Sequence, residues 1–167
     1  MKSLSTGGRL TLCKSVLGSL GVFLFSLFKA PAKVLDKLER LRKYFFWGAK
    51  DGCRKIAWVA WDKVLNNKDH GGLGIGSLKA QNLALLARWW WRFKVEDGTL
   101  WKGVITAIHG QSGGLGETSG GPRWGGAWRN IANINLAMDP FDISLPSLFN
   151  RKLGNGRKIN FWEDVWC

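Results

Sequence analysis

The chain has 167 residues, roughly one domain's worth, which excludes a complete large enzyme. Its 25 Lys and Arg against 12 Asp and Glu give a formal charge of +13, a field that favours nucleic acid or an anionic surface over neutral or basic partners. With 46% apolar and only 22% charged residues it is not a disordered basic tail, and eleven Trp beside a single Tyr demand packing or stacking partners.

Gly8 through about Phe28 reads as a helix or two, with Thr6 a possible cap and Gly18 and Gly21 weakening the middle. The uncharged apolar run Ser15 to Phe28 is too short to span a bilayer, and no signal-peptide pattern surrounds it. Pro31 can open the next helix, where Val34, Leu38, Leu41 and Phe45 recur at the spacing of an apolar stripe and Gly48 marks the end. Lys33, Lys37, Arg40 and Lys43 occupy its other side, with Asp36 and Glu39 each four residues before a base, Arg40 and Lys43. Residues 56–66 fit either a short strand or a helical stretch, and the reading favoured is a short helix after Trp58. The glycine-dense turn 70–77 then delivers the chain to Ser77, an N-cap for a helix reaching about Val95. Leu78, Asn82, Leu85, Leu86, Trp89 and Phe93 share one side of that helix, Arg88 and Arg92 another. A helix over about 99–108, a further one from Trp124 to about Leu136, and a β-hairpin at Asn155-Gly156 complete the chain. The fold class expected is mainly α, with a small C-terminal β-hairpin.

Catalytic chemistry finds little support. Gly71–Gly76 contains neither GxGxxG nor a Gly-Lys-Ser/Thr loop and reads as a structural turn. His70 and His109 stand alone, no Cys-x-x-Cys pair accompanies Cys13, Cys53 and Cys167, and the acids Asp62, Asp69, Glu163 and Asp164 are scattered. Neither a metal site nor a cofactor site is expected. Residues 1–50 hold ten Lys and Arg and two acids, 10 − 2 = +8 of the +13. Interleaved bases and aromatics there suit phosphate contacts and stacking, although charge on an amphipathic helix is also simply a solvated face. Residues 110–126, with eight glycines in seventeen, have the composition of a loop or linker. The cysteine usage fits a reducing compartment, so an intracellular protein, nuclear or cytoplasmic and not secreted, is expected.

Several strings carry a resemblance beyond these patterns. LDKLERLRKYFFWG (35–48), IAWVAWDKVLNNKDHGGLGIGSLKAQNLALLARWWWRF (56–93), LWKGVI (100–105) and LGNGRKINFWEDVW (153–166), together with 4–31, resemble the C-terminal part of plant LINE-type, non-LTR retrotransposon reverse transcriptases. In that family this stretch follows the polymerase palm and precedes a zinc-binding domain. The resemblance implies a helical thumb and connection bundle: thumb-like basic helices over 1–48, a Trp-rich helical connection over 49–109, the glycine-rich loop 110–126, and a short helix plus hairpin over 127–167. The family's adjacent catalytic aspartates have no counterpart, since the chain has no Asp-Asp, and its zinc ligands are expected beyond Cys167. The chain is thus expected to be a truncated, non-catalytic fragment of an RNA-directed DNA polymerase. The parent's divalent metal would sit in the palm and its zinc in the downstream domain. By resemblance, Arg9, Lys14, Lys33, Lys37, Arg40 and Lys43 would contact the phosphates of RNA or an RNA–DNA hybrid. A second reading is an interaction or relic module whose apolar faces need the missing palm and zinc-binding domains. A third, membrane-surface reading is disfavoured, and no membrane partner is expected.

Overall fold

In the computed structural model of the chain, residues 4–48, 56–115 and 126–148 are described. All regular structure among them is helical, as the composition of the sequence and its spacing lead one to expect. The hairpin expected at Asn155-Gly156 lies outside the described residues. The chain divides into two compact units, Met1–Leu85 and Leu86–Cys167.

In the first unit, α1 (Thr6–Leu12) starts one residue earlier than its expected cap allows. Ser5, not Thr6, is the N-cap, its Oγ accepting from the Gly8 N–H at 3.2 Å. The chain continues through a π-helical turn at Cys13–Leu17 and breaks over Gly18–Gly21 before α2 (Val22–Leu27), the interruption that the two glycines predict. Helix α3 (Ala32–Trp47) follows, with Pro31 as its N-cap rather than its first helical residue. It stops at Gly48, whose φ of 66° is the left-handed conformation that terminates helices. A Cβ there would overlap the Arg9 guanidinium, the end of a flexible side chain that can move aside, so it is the backbone conformation that favours glycine. The short helix expected after Trp58 is α4 (Trp61–Leu65).

The glycine turn that follows is structural. Leu73, Gly74 and Gly76 donate backbone N–H bonds to the carbonyls of Val64, Asn66 and Leu65, satisfying the orphan acceptors at the end of α4. Gly72 lies so close to the Asn66 backbone that no side chain fits. Ser77 caps α5 (Leu78–Val95) as expected, its Oγ accepting from the Lys79 N–H at 3.2 Å. One buried cluster holds Cys13, Phe46, Trp61 and Val64; a second holds Phe25, Leu35 and Leu78. Burial pushes the Cys13 thiol pKa up, the nearby Arg42 charge partly opposing it.

The buried side of α3 differs from the expected stripe. Leu35, Arg42 and Phe46 face the core, while Val34 and Leu41 are 46% and 55% exposed. The core face is thus displaced by one residue from Val34, Leu38 and Leu41, while Phe45 still packs against the buried cluster. The cause is polar: Glu39 pairs not with Lys43, four residues on, but with buried Arg42 at 3.0 Å, and its other oxygen accepts from Trp61 Nε1 at 3.0 Å. Arg42 also donates to the Gly76 carbonyl at 3.3 and 3.2 Å. With Glu39 and the Gly76 carbonyl engaging both terminal nitrogens of Arg42, though its Nε is buried without a partner, a charged pair occupies a core face that hydrophobic spacing assigns to leucines.

In the second unit, α5 from Leu86 onward, α6 (Leu100–His109) and α7 (Ala127–Ala132) share an aromatic cluster. Trp101 meets Trp89 edge-on at 5.5 Å between centroids, and Trp128 lies 5.1 Å from Phe93. The indole N–H of Trp128 donates to the Gly113 carbonyl at 2.8 Å, the partner a half-buried Trp requires. The tryptophans of the 89–91 triplet divide as their spacing demands: Trp90 is buried and its neighbours half-buried. The helix expected from Trp124 to about Leu136 is two, α7 and α8 (Ile134–Met138), separated at Asn133. A single turn, α9 (Leu145–Leu148), follows.

Candidate nucleic-acid interface

Helix α3 supplies the basic surface. Lys33, Lys37 and Arg40 recur at i, i+4 and i+7, the spacing that places them on one side, and all three are exposed. Lys43 is half-buried at the edge of this stripe and Asp36 is exposed beside it. Lys29, exposed four residues before Lys33, extends the basic series although it precedes the helix. Its place in the apolar segment before Pro31 hid it from a reading based on helical periodicity.

The other two residues expected to bind phosphate are not on α3. Lys14 is exposed on the π-helical turn and its Nζ comes within 3.8 Å of where a Cβ on Gly74 would stand. Arg9 is half-buried, its Nε buried without a hydrogen-bond partner and its guanidinium against Gly48. That position is the C-terminal end of α3, where the helix dipole favours a cation, so Arg9 has a structural task. Arg42, the remaining base of the helix, is committed to Glu39 and Gly76.

The second unit carries a further electrostatic cluster among its described residues. Arg92 binds Glu96 through two bonds of 2.6 and 3.0 Å, Trp101 Nε1 donates to Glu96 at 3.2 Å, and the guanidinium lies 4.7 Å from the Trp89 ring centroid. These bonds, the Arg92 one foremost, hold the Glu96 carboxyl below its ordinary pKa, and the same bond holds Arg92 above its own. An arginine so engaged on both its edge and its face is part of the packing.

No group of three or more His, Cys, Asp or Glu that could hold a metal ion occurs among the described residues. Nor is any helix among them long and apolar enough to cross a membrane.

Comparison with known proteins adds two relatives from Arabidopsis thaliana. One, "Uncharacterized mitochondrial protein AtMg00310", is 31% identical over 149 residues, covering 89% of this chain and 92% of that protein. The chain belongs to the same family as that protein. The other, "Putative ribonuclease H protein At1g65750", is 33% identical over 175 residues, covering 99% of this chain. The chain spans only 26% of that relative's length. The shared region therefore makes up nearly all of one relative and about a quarter of another. No family model matches the chain, and no solved structure matches it.

Proposed function

We propose that the chain is a retroelement-derived, non-catalytic module, corresponding to the thumb and connection of a plant LINE-type reverse transcriptase, that grips RNA or an RNA–DNA hybrid through α3. The observation that carries the binding reading is the co-facing, exposed set Lys33, Lys37 and Arg40, cations free to release phosphate counterions. The retroelement origin is supported by the sequence resemblance, and by the alignment of almost the whole chain with part of a much longer relative whose name refers to ribonuclease H. In this reading, catalytic aspartates and zinc ligands belong to other parts of the parent enzyme, and the chain itself takes neither metal nor cofactor.

The test is a fluorescence-anisotropy titration of labelled RNA–DNA hybrid with the full chain at two salt concentrations. Affinity is expected to fall as salt rises, and the neutral triple variant Lys33→Gln, Lys37→Gln, Arg40→Gln is expected to lose most of that salt dependence. Binding that is absent, or a salt slope unchanged in the variant, refutes the assignment to α3. Primer extension by the purified chain is expected to stay at background, and extension above it would contradict the non-catalytic reading.

A further inference from the structure

The side of α3 that was expected to face the core instead walls an open groove within the first unit. Leu17, Leu20 and Leu24 line one side, and Val34, Leu38 and Leu41 the other, of a cleft of about 510 Å³. Leu20, Leu24 and Leu41 are 73%, 59% and 55% exposed. Contiguous exposed apolar surface of this kind marks an interaction site, and a charged nucleic-acid backbone does not fill it.

We propose that this groove docks one amphipathic helix of another polypeptide, with an apolar stripe flanked by acidic residues. The stripe from Val34 to Phe45 runs eleven residues along α3, about 16 Å at 1.5 Å per residue. That is three turns, the length over which a docked helix places anchors at i, i+3 or i+4, and i+7. Charge selects the occupant's flanks. Lys33, Lys37 and Arg40 each immediately precede a groove residue, Val34, Leu38 and Leu41, so the basic stripe lies about 100° round the helix from the groove wall. Asp36 is on the far edge of that stripe. The one buried cation in the lining, Arg42, is already paired with Glu39. A second copy of the chain would bring another +8 from its first fifty residues against the same surface, and like charges in juxtaposition disfavour it. A flat bilayer would leave a concave cleft unfilled.

The experiment uses two labelled synthetic 18-residue helical peptides with identical leucine stripes, one flanked by glutamates and one by lysines, titrated against the full chain by anisotropy. Saturable binding of the glutamate peptide is expected, with the lysine peptide about tenfold weaker or more. The double variant Leu24→Ser, Leu41→Ser is expected to weaken peptide binding by a similar factor while leaving thermal melting and hybrid affinity unchanged. Since both substituted side chains are more than half exposed, the variant keeps its core. Absence of saturable binding, equal affinity for the two peptides, or indifference to the double variant overturns the proposal. So do flotation with anionic vesicles unaccompanied by peptide binding and a dimer in sedimentation that the double variant abolishes, which assign the groove to a lipid surface and a second copy respectively. Loss of hybrid binding with peptide binding intact would refute the phosphate-grip function and leave this inference standing.

Discussion

Asn82 offers a direct test of how the first unit is held together. It is 1% exposed and lies on the core side of α5. Its amide donates to the carbonyls of Phe25 at 2.7 Å and Phe28 at 2.9 Å, and its oxygen accepts from the Ala30 N–H at 3.0 Å. The two carbonyls belong to the end of α2 and the residue after it, where no further helical turn exists to satisfy them. Replacing Asn82 by Leu keeps the branched heavy-atom skeleton, with bulkier methyl ends, and removes all three bonds. At a net 0.5–1.5 kcal/mol each the loss is about 1.5–4.5 kcal/mol, centred on about 3, and water reaching the two part-buried partners draws it toward the lower end. For a chain of this size the central value lowers the melting temperature by roughly 6–12 °C. Asn82→Asp is the sharper variant, because it replaces both donors with an anion aimed at two carbonyl oxygens. It is expected to be less stable than the Leu variant at neutral pH and to recover partly on acidification, when protonation restores one donor. Circular dichroism melting of the three proteins measures both effects. A Leu variant melting within about 1 °C of the parent would refute the claim that this amide joins the α2 end to α5.

Two further substitutions probe the polar groups. Arg42→Ala leaves Glu39 with Trp61 as its remaining partner and strips the Gly76 carbonyl, so a loss of about 3–5 kcal/mol is expected by denaturant titration; if Arg42→Met is as stable as the parent, the pair contributes packing volume rather than electrostatics. Glu96→Gln tests the cluster of the second unit. A carboxyl held below its ordinary pKa contributes stability that is present above the unfolded value of about 4.3 and disappears as pH falls through the folded one. The melting advantage of the parent over Glu96→Gln is therefore expected to shrink as pH drops from about 5 to about 3, and a gap that does not change with pH contradicts the ion-pair account.

Much of the helical framework is legible in the sequence, because its signals are local. Ser77 opens α5, Gly48 ends α3, and Gly18 with Gly21 interrupts the first segment, each through a preference that one residue expresses by itself. The face of α3 that meets the core is not local. It depends on Trp61, 22 residues away, donating to Glu39, and on Gly76, 34 residues away, accepting from Arg42. Periodicity ranks Glu39 and Arg42 as solvated because nothing nearby in sequence announces partners for them. Asn82 escapes for the same reason: its position on the apolar side of α5 is visible, but the groups it satisfies lie 52 to 57 residues upstream. The basic site divides along the same line. Lys33, Lys37 and Arg40 are placed correctly on one exposed side by spacing alone, whereas the lodging of Arg9 against Gly48 needs the fold.

The division of the bases also limits what the charge of the chain means for binding. The first fifty residues hold ten Lys and Arg, yet Arg42 is neutralised in the core, Arg9 is packed at the end of α3, and Lys14 stands off the helix. Among the described residues of α3, Lys33, Lys37 and Arg40 share one exposed side, with Lys29 just before the helix and Lys43 half-buried at the edge, and the three span seven residues of helix, about 10 Å. Three phosphate contacts predict a log–log salt slope of only about −2 to −3, far shallower than a count of ten charges implies. A slope in that range, abolished by the three glutamine substitutions, locates the grip on α3. A slope of about −6 or steeper would require bases that α3 does not present, and the nucleic-acid surface would then have to be sought elsewhere on the chain.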